Sequence, residues 1–184
     1  MIGYLSLLAL AASLGSGPPG LSEGCLATGD GYLRARVAGA LEAVVDWPNS
    51  GTLCEGEERP GHGGIRLSFR RRAGLDPDLL FVFGIAAVRE GQSVHGAGVN
   101  LTLIVQGASR VFGTQGTGRC TIDSLTQSRL AERPVNPSGA RAYRVEARGF
   151  CTQPAHAVRG EGAVLVSTFD FAGIVNFQNE ERSK

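Results

Sequence analysis

From residue 32 onward, apolar and polar residues alternate along most of the chain with a period of two. Leu33, Ala35, Val37, Gly39, Leu41, Ala43, Val45 and Trp47 fall on one face of the first run, with Arg34, Arg36, Glu42 and Asp46 on the other. Residues 65–70 repeat the pattern, as do 99–105 around Asn100 and Thr102. Leu79 to Val88 is continuously apolar and predicts a strand covered on both faces. Two more alternating runs, 119–127 and 142–151, flank the loop signal Pro134-Val135-Asn136-Pro137-Ser138-Gly139. Val164–Thr168 and Phe169–Phe177 close the series, with Phe169, Phe171, Val175 and Phe177 on one side and Asp170 and Asn176 on the other.

Turn clusters at 48–51, 60–64, 74–78, 89–98, 106–118, 134–139 and 159–162 separate these runs. The helical character of Ala38-Gly39-Ala40-Leu41-Glu42-Ala43 is opposed by its central glycine and by Val37, Val44 and Val45. The pattern predicts an all-β protein, an antiparallel β-sandwich of about seven to eight strands, with a small β-barrel as the alternative. A length of 184 residues with 42% hydrophobic residues sets the expectation of one core.

The first residues read differently. Residues 2 to 14 form an apolar run too short to span a bilayer, followed by small residues and prolines at 15 to 20. This predicts a signal peptide, cut for instance after Gly15 with Ser13 at the minus-three position, although no Arg or Lys precedes the run. The competing reading is a short buried helix. The expected organisation is a signal peptide and lead-in at 1–24, one β domain at 25–178, and a polar tail at 179–184. No other stretch is long enough for a helical span, so the mature chain is expected to carry none.

Four cysteines suit an exported chain, and without a C-x-x-C pair a zinc knuckle or thioredoxin-like site is not expected. Cys120 and Cys151 lie symmetrically about the 134–139 loop. A hairpin centred there sets them opposite each other, within disulfide reach. The same register sets Asp123 opposite Arg148. Cys25 and Cys54 are separated by the 32–47 run, which fully extended would span about 50 Å. They can pair only if that run bends, with Gly39 as the candidate bend, or if a loop folds back. Lipidation of Cys25 is the alternative, though Leu21-Ser22-Glu23-Gly24-Cys25 matches the lipoprotein cleavage box poorly.

Composition narrows the chemistry. The basic residues are arginines except Lys184, the last residue. No lysine is placed for a Schiff base, a catalytic amine or a phosphate-binding loop. A net charge of +1 supplies no field for nucleic acid, and none is expected as a partner.

Candidate chemistry gathers in the connection from Pro48 to Gly64, which carries Glu55, Glu57, Glu58 and His62. Those carboxylates with the histidine are the candidate ligands for calcium or zinc, against the simpler reading of a solvated acidic loop. His62, His95 and His156 would need to converge for a three-histidine zinc site. His62-Gly63-Gly64 resembles an oxyanion-hole stretch, but no G-x-S-x-G elbow accompanies it. Arg34, Arg36, Arg66, Arg144 and Arg148, with the Arg70-Arg71-Arg72 cluster, are candidates for an arginine-rich face that binds acidic polysaccharide or phosphate. Glu42, Glu146 and Asp123 would balance that face in the plainer reading. Asn100-Leu101-Thr102 has the form of an N-glycosylation sequon.

No catalytic constellation emerges. The expectation is a secreted or periplasmic binding, adhesion or envelope-associated module without catalytic activity or cofactor, its partner a cell-envelope component or polysaccharide. The alternatives are a metal-dependent hydrolase using the 48–64 loop and a carrier of a small apolar ligand between the sheets.

Overall fold

The computed structural model describes residues 24–59, 63–71, 78–116, 118–131 and 140–178. The expected signal peptide and polar tail, and His62 with them, lie outside the described residues. Among the described residues there are eleven strands and no helix: β1 (Tyr32–Gly39), β2 (Ala43–Pro48), β3 (Thr52–Glu58), β4 (Ile65–Arg71), β5 (Leu79–Ile85), β6 (Ala97–Val105), β7 (Arg110–Gly113), β8 (Cys120–Arg129), β9 (Arg141–Cys151), β10 (Ala155–Ala157) and β11 (Ala163–Phe177).

The all-β, antiparallel expectation holds, with more strands than the seven or eight foreseen. The 32–47 run is not one strand but the hairpin β1–β2, in register from Tyr32↔Pro48 to Val37↔Ala43. The bend falls at Gly39, whose φ of 110° is open to glycine and strained for other residues. Glu42 closes the turn by accepting the Gly39 N–H at 2.9 Å. Because the pairing joins odd numbers to odd numbers, Leu33, Ala35, Val37, Val45 and Trp47 still share one buried face. Conversely, the two C-terminal runs are a single strand, β11, of 15 residues.

The pairings close into a ring, flattened into two layers. One layer runs β2-β1-β11-β9-β8 and the other β3-β4-β5-β6-β7-β10. They meet where β3 pairs β11 through Glu57↔Asn176, the one parallel contact, and where β8 pairs β6 from Ala97↔Ile122 to Val99↔Cys120. β10 makes a third join, to both β7 and β11. Between the layers the core is aromatic. Phe83 of β5 lies 4.8 Å from Phe171 and 5.1 Å from Phe169 of β11, and Phe69 lies 5.1 Å from Phe171, centroid to centroid. Trp47 meets Phe81 edge-on at 5.6 Å, so Trp47 is a core residue and not an exposed stacking platform.

β5 alternates between buried and half-buried, so its outward residues Leu80, Val82 and Gly84 are only partly covered. The expectation of a strand enclosed on both faces is corrected to that extent. Among the described residues no helix is long and apolar enough to cross a membrane.

Both disulfides form. Cys120 pairs Cys151 as directly opposed residues of β8 and β9, with Cα atoms 3.9 Å apart. Beyond Ile122 the simple hairpin register fails. A bulge at Asp123 shifts the pairing by one, so Arg148 faces Ser124 instead of Asp123. The extra residue has a packing purpose. It returns Leu125 to the core face, where Leu125 is fully buried, while Asp123 stays exposed. Cys25 pairs Cys54 with Cα atoms 4.8 Å apart, which the β1–β2 hairpin makes reachable.

Candidate functional site

The stretch read as a 48–64 loop contains a strand. Thr52–Glu58 is β3 and pairs residue by residue with β4, from Thr52↔Arg71 to Glu58↔Ile65. Alternation therefore sorts its carboxylates: Glu55 and Glu57 share the outward face, and Glu58, at the strand end, belongs to the other. Opposite them β4 presents Ser68 to Glu55 and Arg66 to Glu57, and Arg66 Nη1 lies 3.7 Å from Glu57 Oε1.

The inward positions of β3 are Thr52, Cys54 and Gly56. Gly56 has no room for more, since a Cβ there would come within 2.2 Å of the Ile174 carbonyl oxygen. That close approach seats β3 against β11, and the Asn176 side chain points its amide at the Gly56 carbonyl, 3.5 Å away. Where the two strands meet, a surface groove of about 340 Å³ opens. Cys54, Gly56 and Ile174 line it together with the polar side chains of Glu55, Glu57, Arg66, Ser68, Asn176 and Gln178. The structure thus joins Glu55, Glu57 and Arg66, which the sequence had assigned to two separate candidate sites.

The remaining candidates do not converge with these. His95 Nδ1 lies 3.1 Å from the carbonyl oxygen of Asp123, at the β8 bulge. His156 sits exposed on β10 beside Gly113. Among the described residues, no group of three or more His, Cys, Asp or Glu side chains is placed to hold a metal ion.

Four of the five candidate arginines share the outer face of the β2-β1-β11-β9-β8 layer, and Arg66 lies on the other layer. Cross-strand register sets Asp46, Arg34, Asp170, Arg148 and Ser124 in one row. Arg34 reaches Asp46 at 3.3 Å and Asp170 at 3.9 Å, and its guanidinium lies over the Tyr32 ring. Arg144 is held by Glu146 at 2.6 Å and Asp30 at 2.8 Å. Burial works against the Arg144 charge, but Glu146 and Asp30 more than offset it and raise its pKa. Burial also raises the pKa of the Tyr32 phenol, reinforced by its 2.7 Å hydrogen bond to Asp170. Arginines and carboxylates alternate on this surface, which is not a basic platform. The acids that balance it are Asp30, Asp46, Asp170 and Glu146; of the acids expected from sequence, Glu146 takes part, Glu42 caps the hairpin turn and Asp123 forms the bulge.

Asn176 and Gln178 were missed as candidates in the sequence. Their only signal was their position on the polar side of the last alternating run, which looks like any solvated strand face. No family model, no curated protein and no solved structure matches the chain.

Proposed function

We propose that the chain is an exported binding module, secreted or periplasmic, which takes a polysaccharide or another polar envelope component into the groove between β3, β4 and β11. It performs no chemistry on that ligand. The observation that carries the reading is the placement of both disulfides at joins of the fold. Cys25–Cys54 ties the N-terminal segment to β3, and Cys120–Cys151 stands where β8 meets β6. Disulfides persist in oxidising compartments and are rare in the cytosol, so a fold pinned in this way favours export. The groove supports binding because carboxylates, a guanidinium, a hydroxyl and two carboxamides line it, a mixture suited to hydroxyl-rich ligands.

Two measurements test the reading. The first is the intact mass of the natively produced protein, before and after reduction with thiol alkylation. A chain shortened by its leader and unlabelled until reduction supports export; a full-length chain with four free thiols sinks it. The second is amide NMR of the oxidised domain titrated with soluble envelope polysaccharide fragments. Shifts confined to residues 54–57, 66–68 and 174–178, and abolished in Arg66→Ala, support the groove. Shifts elsewhere, or none, refute it. Stoichiometric metal in the purified protein, lost in Glu55→Gln/Glu57→Gln, would favour the metal-dependent hydrolase instead.

A further inference from the structure

The two disulfides close loops of nearly equal length, with sequence separations of 29 and 31, but their surroundings differ. Cys120 and Cys151 are 1% and 6% exposed, inside the β8–β9 ladder at the join to β6. Cys25 is 8% exposed, whereas Cys54 is only half-buried and lines the open groove. Cys54 is thus the most open of the four cysteines, although its side chain leaves β3 on the inward face.

The segment that Cys25 anchors has other attachments. Asn49 accepts the N–H groups of Leu26 at 2.8 Å and Gly31 at 3.0 Å through its side-chain oxygen. It also donates from Nδ2 to the Leu26 carbonyl at 3.0 Å. Leu26 is buried in the core, and Cys25 and Cys54 are not ladder partners of each other, since Cys54 pairs Phe69 between β3 and β4. Opening this bond therefore loosens a strap and leaves both layers paired. Opening Cys120–Cys151 requires parting β8 from β9.

From this contrast we infer that Cys25–Cys54 is a redox-labile clasp, opened through Cys54 by a dithiol reductant of the exported compartment while Cys120–Cys151 stays closed. The exchange is a two-step displacement. A thiolate of the reductant attacks Cys54 Sγ; a mixed disulfide forms, and Cys25 leaves as a thiolate and takes a proton. The second thiol of the reductant then attacks its own partner sulfur and releases Cys54. Two electrons pass to the cysteine pair, and the reductant ends as a disulfide. In the closed bond the Cys25 sulfur lies 3.5 Å from the Ala172 carbonyl oxygen, which can accept a hydrogen bond from the thiol once it is released. The inference does not depend on what the groove binds.

The test uses the oxidised full domain and dithiothreitol. Samples quenched with iodoacetamide over time are mapped by peptide mass. The expected result is alkylation of Cys25 and Cys54 faster than that of Cys120 and Cys151 by about tenfold or more, with the far-ultraviolet β signal unchanged during the first phase. Hydrogen exchange on the half-reduced protein should then quicken at residues 25–31 and stay protected across β5, β8 and β9. Equal rates for the two pairs, earlier labelling of Cys120 and Cys151, or loss of the β signal together with the first pair would each overturn the inference.

Discussion

Several single positions carry consequences out of proportion to their size. Gly56 is the clearest: its missing side chain lets the Ile174 carbonyl and the Val175 methyl close on β3. Gly56→Ala should lower stability by about 1–3 kcal/mol, the usual range for overpacking, measured by urea unfolding. Glu90 works through charge. It holds Arg141 with two hydrogen bonds of 2.6 and 2.7 Å, which tie the connection after β5 to β9. Those bonds are the main reason its pKa lies below the ordinary 4.5. A carboxyl with a depressed folded pKa stabilises above its unfolded value and loses that contribution as pH falls. Asp30, lowered chiefly by its hydrogen bond from Thr28 and in part by Arg144, acts in the same direction. Stability should therefore fall from about pH 5 downward, and Glu90→Gln should flatten that acid limb. The Tyr32 phenol is shifted the other way, above its ordinary 10.0. Its contribution is complete below that value and is lost as pH climbs beyond it, so Tyr32→Phe should soften the alkaline decline in the same unfolding series.

Among the strands, those whose inward positions hold large apolar residues were legible in the sequence. β4, β6 and β9 alternate plainly, β1 and β2 do so too but read as one run without their turn, and the symmetry of Cys120 and Cys151 about a proline-rich loop points to the β8–β9 hairpin. β3 was hidden because it breaks the code on both sides. Its inward residues are Thr52, Cys54 and Gly56, and its outward ones include Glu55 and Glu57. Its one large apolar residue, Leu53, faces outward, and the core beside the strand is filled from β11 and β4. The groove was illegible for the same reason: it depends on a parallel contact between residues more than a hundred positions apart. β7 and β10, of 4 and 3 residues, are too short to show a period. The bulge at Asp123 cannot be read from alternation either, because Leu125 falls out of phase with Cys120 and Ile122 and looks exposed. Deleting Asp123 removes the residue that the bulge absorbs and puts Leu125 in phase with Cys120 and Ile122, so Leu125 should stay in the core and the urea midpoint should hardly move. Leu125→Ala, by contrast, should cost about 2–5 kcal/mol, and a deletion that costs as much would show that the bulge itself is needed.

Taken together, the strands form a shell whose two layers need fastening where their edges meet. Cys25–Cys54 ties the lead-in to β1 onto β3 of the other layer, whereas Cys120–Cys151 locks β8 to β9 within one layer beside its join to β6; chain entropy alone predicts about 3.6 kcal/mol from either, given their similar loop lengths. Replacing Cys120 and Cys151 by serine should cost more than replacing Cys25 and Cys54. The first change also puts hydroxyls into a buried ladder position, while the second leaves Asn49 and Leu26 holding the strap. Calorimetry of the two double variants checks that order. The outermost strand of the first layer, β2, has its own protection. Val44 is 76% exposed there, but Asp46 and Pro48 interrupt the edge and should keep the oxidised domain from pairing edge to edge.

β11 touches more of the protein than any other strand. It pairs β1 along Ala172 to Val164, β9 along Thr168 to Phe177, β10 near Ala163 and β3 at Asn176. It is also the last of the described strands in chain order. A chain that crosses a membrane N-terminus first would deliver ten strands before the one that gives β1 and β9 their common neighbour. Until then the inner face of β1 and the aromatic rows of β4 and β5 have nothing to close on, and sheets assembled from such distant partners fold slowly. Cys25 and Cys54 would meet the oxidising side well before β11 arrives. Their bond would then be formed in a nascent, open chain and only later built into the finished wall.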